Sequence, residues 1–128
     1  MMKKGVMRVL IMDDSAIVRK RLIAMLSKIM KAENISYAED APKAIDSIRK
    51  LNPEAVILDI RMPGGVGMDV LLEIKKNNQT PLVVVLPDYP YRHYRTKYVE
   101  AGADFFFDKS TEFDQVMAVL RRLGENRC

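Results

Sequence analysis

The sequence predicts an α/β protein built on one parallel sheet, and two patterns support this prediction. Short apolar runs of strand length recur five times along the 128 residues, and segments with helical periodicity lie between them. Two of the runs, AVIL at 55–58 and LVVVL at 82–86, are apolar without alternation, as is typical of parallel strands covered on both faces. Strands and helices that alternate in this way predict right-handed crossovers and three layers, with helices on both faces of the sheet.

The strands are predicted where the apolar residues run together. In chain order these runs are VLIM at 9–12, ISYA at 35–38, AVIL at 55–58, LVVVL at 82–86 and DFFF at 104–107. The periodic segments between and after them predict helices over 15–30, 41–51, 68–76, 92–102 and 113–124. In the first helix, a single apolar stripe is formed by Val18, Leu22, Met25, Leu26 and Ile29.

Local signals predict several helix ends. Ser15 is a candidate N-cap of the first helix because its hydroxyl can accept a hydrogen bond from a free backbone N–H. The Asn52-Pro53 pair is predicted to end the second helix, since a residue before proline disfavours helical backbone. Gly102 is predicted as the C-cap of the fourth helix, and Gly124 is predicted to end the fifth.

Length and composition predict one soluble domain, residues 1–128, with no output domain. Hydrophobic residues make up 48% and charged residues 30%, as in an ordinary globular protein, and no apolar run reaches the roughly 18 residues of a membrane span. The first residues lack a small-residue cleavage site and are interpreted as leading into a strand, not as a signal peptide. The only cysteine, Cys128, can form neither a disulfide framework nor a metal site, so we predict a cytoplasmic protein.

The formal net charge of +4 permits an acidic partner without requiring one. We interpret the lysines and arginines mainly as solvated helix faces. A nucleic-acid binder would rest on charge alone, since the chain has no recognisable nucleic-acid motif, and we do not expect this function.

Acidic residues follow three of the predicted strands. Asp13 and Asp14 follow the first, the third ends in Asp59, and Asp108 with Lys109 follows the fifth. In the flavodoxin-like strand order 2-1-3-4-5, strands one and three are neighbours where the strand order reverses, and ligands bind beyond their carboxyl ends. The first three aspartates are therefore predicted to converge, with Lys109 approaching from the other side.

The predicted cluster of carboxylates is suited to a metal ion. Three carboxylates close together would repel one another and take up protons unless a cation lies among them. Oxygen ligands suit Mg²⁺, which binds through one or two carboxylates and phosphate oxygens and keeps several waters. Alternatively, these residues only cap helices, as Asp13 or Asp14 could do for the first helix. Three carboxylates at the ends of adjacent strands, together with a lysine, favour the metal site.

Three segments carry a resemblance to a known family: VLIMDDSAIVRKRL, AVILDIRMPGGVGMDVL and EAGADFFFDKS. Together they resemble the receiver domain of two-component response regulators, and the resemblance covers essentially the whole chain. The combination of an aspartate pair, D-x-R-M-P-G-G and A-G-A-D-x-F-x-D-K is highly specific.

The resemblance implies a role for each residue of the site. Asp59 would accept a phosphoryl group from a histidine kinase or a phosphotransfer protein, and it would also contribute to the Mg²⁺ site. Asp14 would hold the metal directly, with Asp13 assisting through water, and Arg61 would offer its main-chain carbonyl. Lys109 would pair with the phosphoryl oxygens. The protein would then be a phosphoacceptor that assists its own phosphotransfer and dephosphorylation, and not an enzyme.

The chain departs from the family pattern at the positions that relay phosphorylation. Receivers usually end the fourth strand with threonine or serine and a small residue, whereas Pro87 and Asp88 stand here. The switch aromatic of the fifth strand aligns with Phe106, which lacks the hydroxyl of tyrosine, and Lys109 is followed by Ser110 instead of proline. We expect phosphate acceptance to persist with altered signalling.

The sequence is consistent with two functions. The first is a stand-alone receiver that signals to a downstream protein through its helix 4–strand 5–helix 5 face, with no membrane partner and with homodimer formation left open. The second is a pseudo-receiver, an interaction module that keeps the fold but no longer switches by phosphate. Pro87 and Asp88 favour the second function, whereas the aspartates and Lys109 favour the first.

Residues 89–98 combine basic side chains with four tyrosines, Tyr89, Tyr91, Tyr94 and Tyr98. This segment is either a partner surface or an ordinary solvated helix whose tyrosine rings lie over its base. His93, the only histidine, cannot form a metal cluster by itself and is predicted to lie at the surface.

Overall fold

The structure is a computed structural model that describes residues 8–13, 16–60, 65–76, 81–87, 92–107 and 113–125. At some positions inside these ranges, Val18, Asp59, Ile60 and Pro87 among them, it describes the backbone but not the side chain.

Within these ranges, five strands form one parallel sheet in the order β2-β1-β3-β4-β5, as predicted. They are β1 (Val9–Met12), β2 (Ile35–Ala38), β3 (Ala55–Ile60), β4 (Leu82–Pro87) and β5 (Phe105–Phe106). The helices of the same part of the chain are α1 (Ala16–Leu26), a short 3-10 helix (Ala32–Asn34), α2 (Ala41–Leu51), α3 (Gly65–Lys76), α4 (Arg92–Glu100) and α5 (Phe113–Glu125). Each β-strand is followed by an α-helix, which confirms the predicted alternation.

The core has two halves, one on each face of the sheet. Alternate residues of the central strands point to opposite faces, so that Leu10 and Val56 join one half while Ile11 and Ile57 join the other. The first half is closed by α2, α3 and Tyr98 of α4, and the second half by α1 and α5. The predicted three-layer sandwich is therefore confirmed, and the described side chains of β1 and β3 are buried on both faces.

The apolar stripes of the helices face these two halves. Leu22 and Leu26 of α1 are fully buried, as predicted, while Met25 and Ile29 pack against the same half from its edge. Ile29 lies beyond the end of α1 at Leu26, because the helix is shorter than the periodic pattern that continues past it. The predicted N-cap, Ser15, lies outside the described residues.

The strands differ from their predicted lengths at the carboxyl edge of the sheet. β3 continues through Asp59 to Ile60, and β4 continues to Pro87, because Ile60 and Pro87 are paired across the two strands. Neither extension follows from an apolar run, since a charged residue and a proline interrupt the runs. β5 is shorter than predicted and comprises only Phe105 and Phe106. None of the described helices is long and apolar enough to cross a membrane.

The helices α2 and α4 end where the sequence signals predict. The α2 helix begins after Asp40, whose carboxylate accepts a hydrogen bond from the Lys43 N–H at 2.9 Å. It ends at Leu51, and Asn52 adopts a left-handed conformation with φ of 47°. After α4, Gly102 has φ of 113° and donates its N–H to the Val99 carbonyl at 3.0 Å. The predicted stops at Asn52 and Gly102 are both confirmed, whereas α5 continues through Gly124 to Glu125, so the predicted end at Gly124 is wrong.

Replacing Gly102 with alanine is expected to destabilise the protein by about 1–3 kcal/mol, the typical cost of an unfavourable backbone conformation. A Cβ atom is strained at φ of 113°, and it would also overlap the side chain of Lys75. The free energy of unfolding from urea denaturation measures this loss. In a Gly102→Ala/Lys75→Ala double variant, compared with Lys75→Ala alone, most of the loss should persist. Full recovery in the double variant would mean that the Lys75 overlap, and not the backbone, causes the loss.

Candidate functional site

The carboxyl edge of the sheet brings the positions of Asp13 and Asp59 together. Met12 and Leu58 are paired across β1 and β3, and each is followed directly by one of the two aspartates. Adjacent strands lie about 4.8 Å apart, so the backbones of the two aspartates are neighbours. This register confirms the predicted adjacency of strands one and three.

Asp13 is the buried acidic group of the described residues, and only 1% of it is exposed. Its backbone N–H donates to the Ala38 carbonyl at 3.0 Å, so that the pairing between β1 and β2 continues one residue past the end of β1. An ionised carboxylate is costly to bury unless donors or a cation compensate its charge. A buried carboxyl group at this edge therefore fits an oxygen-ligated cation such as Mg²⁺.

The structure describes only part of the predicted site. Asp14, Arg61 and Lys109 lie outside the described residues, as do Asp88 and Ser110, and for Asp59 only the backbone is described. Within the described ranges, no group of three His, Cys, Asp or Glu side chains could hold a metal ion. The predicted convergence of three carboxylates and a lysine therefore stays a prediction.

Pro87 is the last residue of β4, one residue beyond the predicted strand, and its backbone lies at the same edge as Asp59. Asp59 is paired with Leu86, and Ile60 is paired with Pro87. Proline has no N–H and no hydroxyl, so this strand end offers no hydrogen-bond donor of its own at that position.

Phe106 belongs to the α4 side of the sheet. It is partly buried and packs against the core half that contains Tyr98, with the two ring centroids 6.2 Å apart and the rings inclined at 41°. Tyr98 itself is only 2% exposed. Residues 89–98 are therefore not exposed throughout, because Tyr98 lies on the inner face of α4. Tyr89 and Tyr91 lie outside the described residues, and the side chains of His93 and Tyr94 are not described.

Sequence reasoning missed a cluster around Arg19. We interpreted the basic residues of the chain mainly as solvated, but the Arg19 side chain is only 15% exposed. Its Nη1 donates to the Asp13 carbonyl at 3.1 Å, its Nη2 lies 3.8 Å from a carboxylate oxygen of Glu39, and its guanidinium lies 4.6 Å from the centre of the Tyr37 ring. No spacing in the sequence indicates this cluster, since its members come from three separate parts of the chain.

The family model of the response regulator receiver domain matches residues 9–121, which is most of the chain. The chain belongs to the response regulator receiver domain family. The resemblance drawn from the sequence motifs is thereby confirmed, and so is the assignment to two-component signalling.

Two curated relatives indicate the kinds of protein in which such receivers occur. A protein-glutamate methylesterase/protein-glutamine glutaminase 2 of Koribacter versatilis is 42% identical over an alignment that covers 98% of this chain and 38% of that protein. The response regulator MprA of a Mycobacterium species is 29% identical, with 91% of this chain and 50% of that protein covered. The receiver thus spans about two-fifths to one-half of the length of these relatives. That no output domain accompanies it stays a prediction.

Solved structures agree with the receiver fold. The response regulator domain of Thermotoga maritima CheB is 26% identical to this chain and superimposes with a TM-score of 0.73, with 96% of each chain covered. The signal receiver domain of a Luxo repressor protein from Vibrio parahaemolyticus superimposes with a TM-score of 0.82 at 22% identity, with 96% of this chain and 93% of that chain covered. At this identity, the second likeness is evidence of the fold alone.

Proposed function

We propose that this receiver accepts a phosphoryl group on Asp59 and relays the modified state to a protein partner. The observation that carries the proposal is the register of β1 and β3, which brings the backbone of Asp59 next to the buried Asp13 at the carboxyl edge of the sheet. Ligands of open parallel sheets bind at this edge, where the strand order reverses. The family membership supplies the reaction class.

In the proposed reaction, a carboxylate oxygen of Asp59 attacks the phosphorus of a phosphohistidine on a kinase or phosphotransfer protein. A P–O bond forms while the P–N bond breaks, and its electron pair stays on the imidazole nitrogen. The product is an acyl phosphate on Asp59 and a free histidine on the donor. Because both reactants are anionic, the transfer depends on positioning and on neutralisation of charge, and Lys109 would supply one positive charge.

The residues for a Mg²⁺ site are present in the sequence. Asp14 would bind the ion directly, Asp13 through water, Asp59 through its carboxylate and Arg61 through its main-chain carbonyl. The bound ion would neutralise charge on the phosphoryl oxygens. The burial of Asp13 supports this assignment, because a carboxylate at 1% exposure benefits from a nearby cation.

We place the output contacts on the α4–β5–α5 face. In its described part, Val99 of α4 is exposed at 47% although it is apolar, and exposed basic residues on α4 and α5 include Arg95, Lys97, Arg121 and Arg122. Exposed apolar area beside positive charge suits a protein partner with an acidic rim. Phe106 would connect this face to the phosphorylation site, since it packs against the same core half as Tyr98.

In this function the chain acts as a phosphoacceptor in the cytoplasm and not as an enzyme with a substrate of its own. The methylesterase and glutaminase name belongs to the Koribacter relative, only 38% of which is covered by this chain. The alternative, a pseudo-receiver that no longer switches by phosphate, is not favoured by relatives that are named response regulators.

Incubating the protein with a small-molecule phosphodonor and Mg²⁺ and then measuring its intact mass tests this function. We expect the mass to increase by one phosphoryl group with Mg²⁺ and to stay unchanged in EDTA, because the transfer needs a cation at the acidic edge. The Asp14→Ala variant should lose both the mass gain and Mg²⁺ binding, whereas Asp46→Ala, at an exposed position of α2, should keep both. A wild-type protein that never gains the phosphoryl mass would instead be a pseudo-receiver.

A further inference from the structure

Arg19 connects α1 to the carboxyl ends of β1 and β2. From the fourth position of α1, its Nη1 reaches the Asp13 carbonyl at 3.1 Å, one residue beyond the end of β1. From the side of β2, Tyr37 places its ring 4.6 Å from the guanidinium carbon, and Glu39 places a carboxylate oxygen 3.8 Å from Nη2. The Arg19 side chain therefore joins α1 to Tyr37 of β2 and to the residues that follow β1 and β2 at the acidic edge.

The group that Arg19 binds is the peptide carbonyl between Asp13 and Asp14. A peptide unit is planar. The direction of this carbonyl therefore determines the orientation of the peptide plane that joins the first aspartate to the second. The preceding peptide is held as well, since the Asp13 N–H donates to Ala38 at 3.0 Å. The two hydrogen bonds together hold both peptide groups of Asp13.

Arg19 is itself held in place. The guanidinium carbon of Arg19 lies over the Tyr37 ring, 4.6 Å from its centre, and such a contact between a cation and an aromatic face is attractive. The Glu39 carboxylate is 54% exposed and lies at the long end of ion-pair distances, so it orients Arg19 more than it stabilises the fold. A planar guanidinium can hydrogen-bond through one edge while it stacks through its face, and the ammonium group of lysine cannot.

We propose that Arg19 is a positioning residue for the phosphorylation site, acting by holding the peptide between Asp13 and Asp14 in the orientation that Mg²⁺ binding requires. This inference rests on the proposed function. It assigns Arg19 no contact with the phosphoryl group or with the ion. Groups that orient metal ligands from outside the coordination sphere typically contribute about 10–100-fold to metal affinity, which is the range expected here.

The sign of the effect separates positioning from simple electrostatics. A positive charge beside a cation site repels the incoming ion, so removing the charge of Arg19 should tighten Mg²⁺ binding if charge is all that matters. If Arg19 positions the peptide, removing its guanidinium should weaken binding in spite of the lost repulsion. The two roles therefore predict opposite changes in the dissociation constant.

The test compares Arg19→Gln and Arg19→Lys with the wild type, and uses Lys20→Gln as the matched control. Lys20 is the exposed neighbour of Arg19 on α1 and loses the same charge. Calorimetric titration gives the dissociation constant for Mg²⁺. Amide hydrogen exchange in the metal-free protein, followed by NMR, reports on the Asp13 N–H, and thermal unfolding establishes that each variant is folded.

For Arg19→Gln we expect Mg²⁺ binding to weaken about ten-fold and the Asp13 amide to exchange faster, with a smaller weakening in Arg19→Lys. Lys20→Gln should leave both measurements near the wild-type values. Unchanged or tighter Mg²⁺ binding in a folded Arg19→Gln protein would overturn the inference while leaving the proposed function intact. A wild-type protein that fails to bind Mg²⁺ would overturn the proposed function and the inference together, whatever the variants do.

Discussion

Replacing Asp59 with asparagine is expected to abolish phosphorylation completely. The carboxylate oxygen is the nucleophile of the proposed reaction, and the amide of asparagine is nearly the same size but cannot form an acyl phosphate. The backbone of Asp59 lies within β3 and is paired with Leu86 of β4, so the substitution leaves the sheet register unchanged. Intact mass measurement after incubation with phosphodonor and Mg²⁺ should show the unmodified protein alone.

The control for this experiment is Asp69→Asn, an exposed aspartate on α3, which should gain the phosphoryl mass as the wild type does. Peptide mapping of the phosphorylated wild type should locate the modification at Asp59 alone. If the Asp59→Asn protein still gains a phosphoryl group, the acceptor is another residue. Our assignment of the reaction site from the register of β1 and β3 would then be wrong.

Restoring the hydroxyl at the end of β4 is expected to strengthen the response to phosphorylation. In a Pro87→Thr/Asp88→Ala variant, threonine would add one donor to the phosphoryl group, and a hydrogen bond to a charged group contributes about 1.5–3 kcal/mol. A ligand shifts a conformational equilibrium only by its differential affinity for the two states. A hydrogen bond of this strength that forms in only one of the two states therefore shifts the equilibrium constant between them by about ten- to hundred-fold. Loss of the Asp88 charge also removes repulsion, although salt screens that part.

Amide hydrogen exchange of residues 82–107, with and without phosphodonor, measures this response. The phosphorylation-dependent change should be larger in the double variant than in the natural protein, above all around Phe106 and Tyr98, which pack together on the α4 side. The Asp88→Ala single variant separates the effect of the charge from that of the hydroxyl. An equally large change in the natural protein would mean that proline at position 87 does not weaken the switch.

The layered α/β architecture could be predicted from the sequence alone because it depends on local order along the chain, and the place of the site stays a prediction from the same order. The boundaries of β1, β2 and α2 agree with the apolar runs and helix-end signals residue for residue. Strand order then brought Asp13, which follows β1, and the backbone of Asp59 in β3 to one edge of the sheet. Motifs specific to the family are enough to predict roles for Asp59, Lys109 and the aspartate pair from residue identity and spacing.

Which side chains meet across the elements follows from the tertiary structure and could not be predicted from the sequence. Tyr98 is on the inner face of α4 and is buried, although its neighbours in the sequence made it resemble a surface residue. Pro87 belongs to β4 because it is paired with Ile60, and Ile60 lies on a strand far away in the sequence. Arg19, Tyr37 and Glu39 come together beside Asp13 because β1 and β2 are adjacent and α1 packs across them. Periodicity within one element carries no information about contacts that form only when several elements pack together.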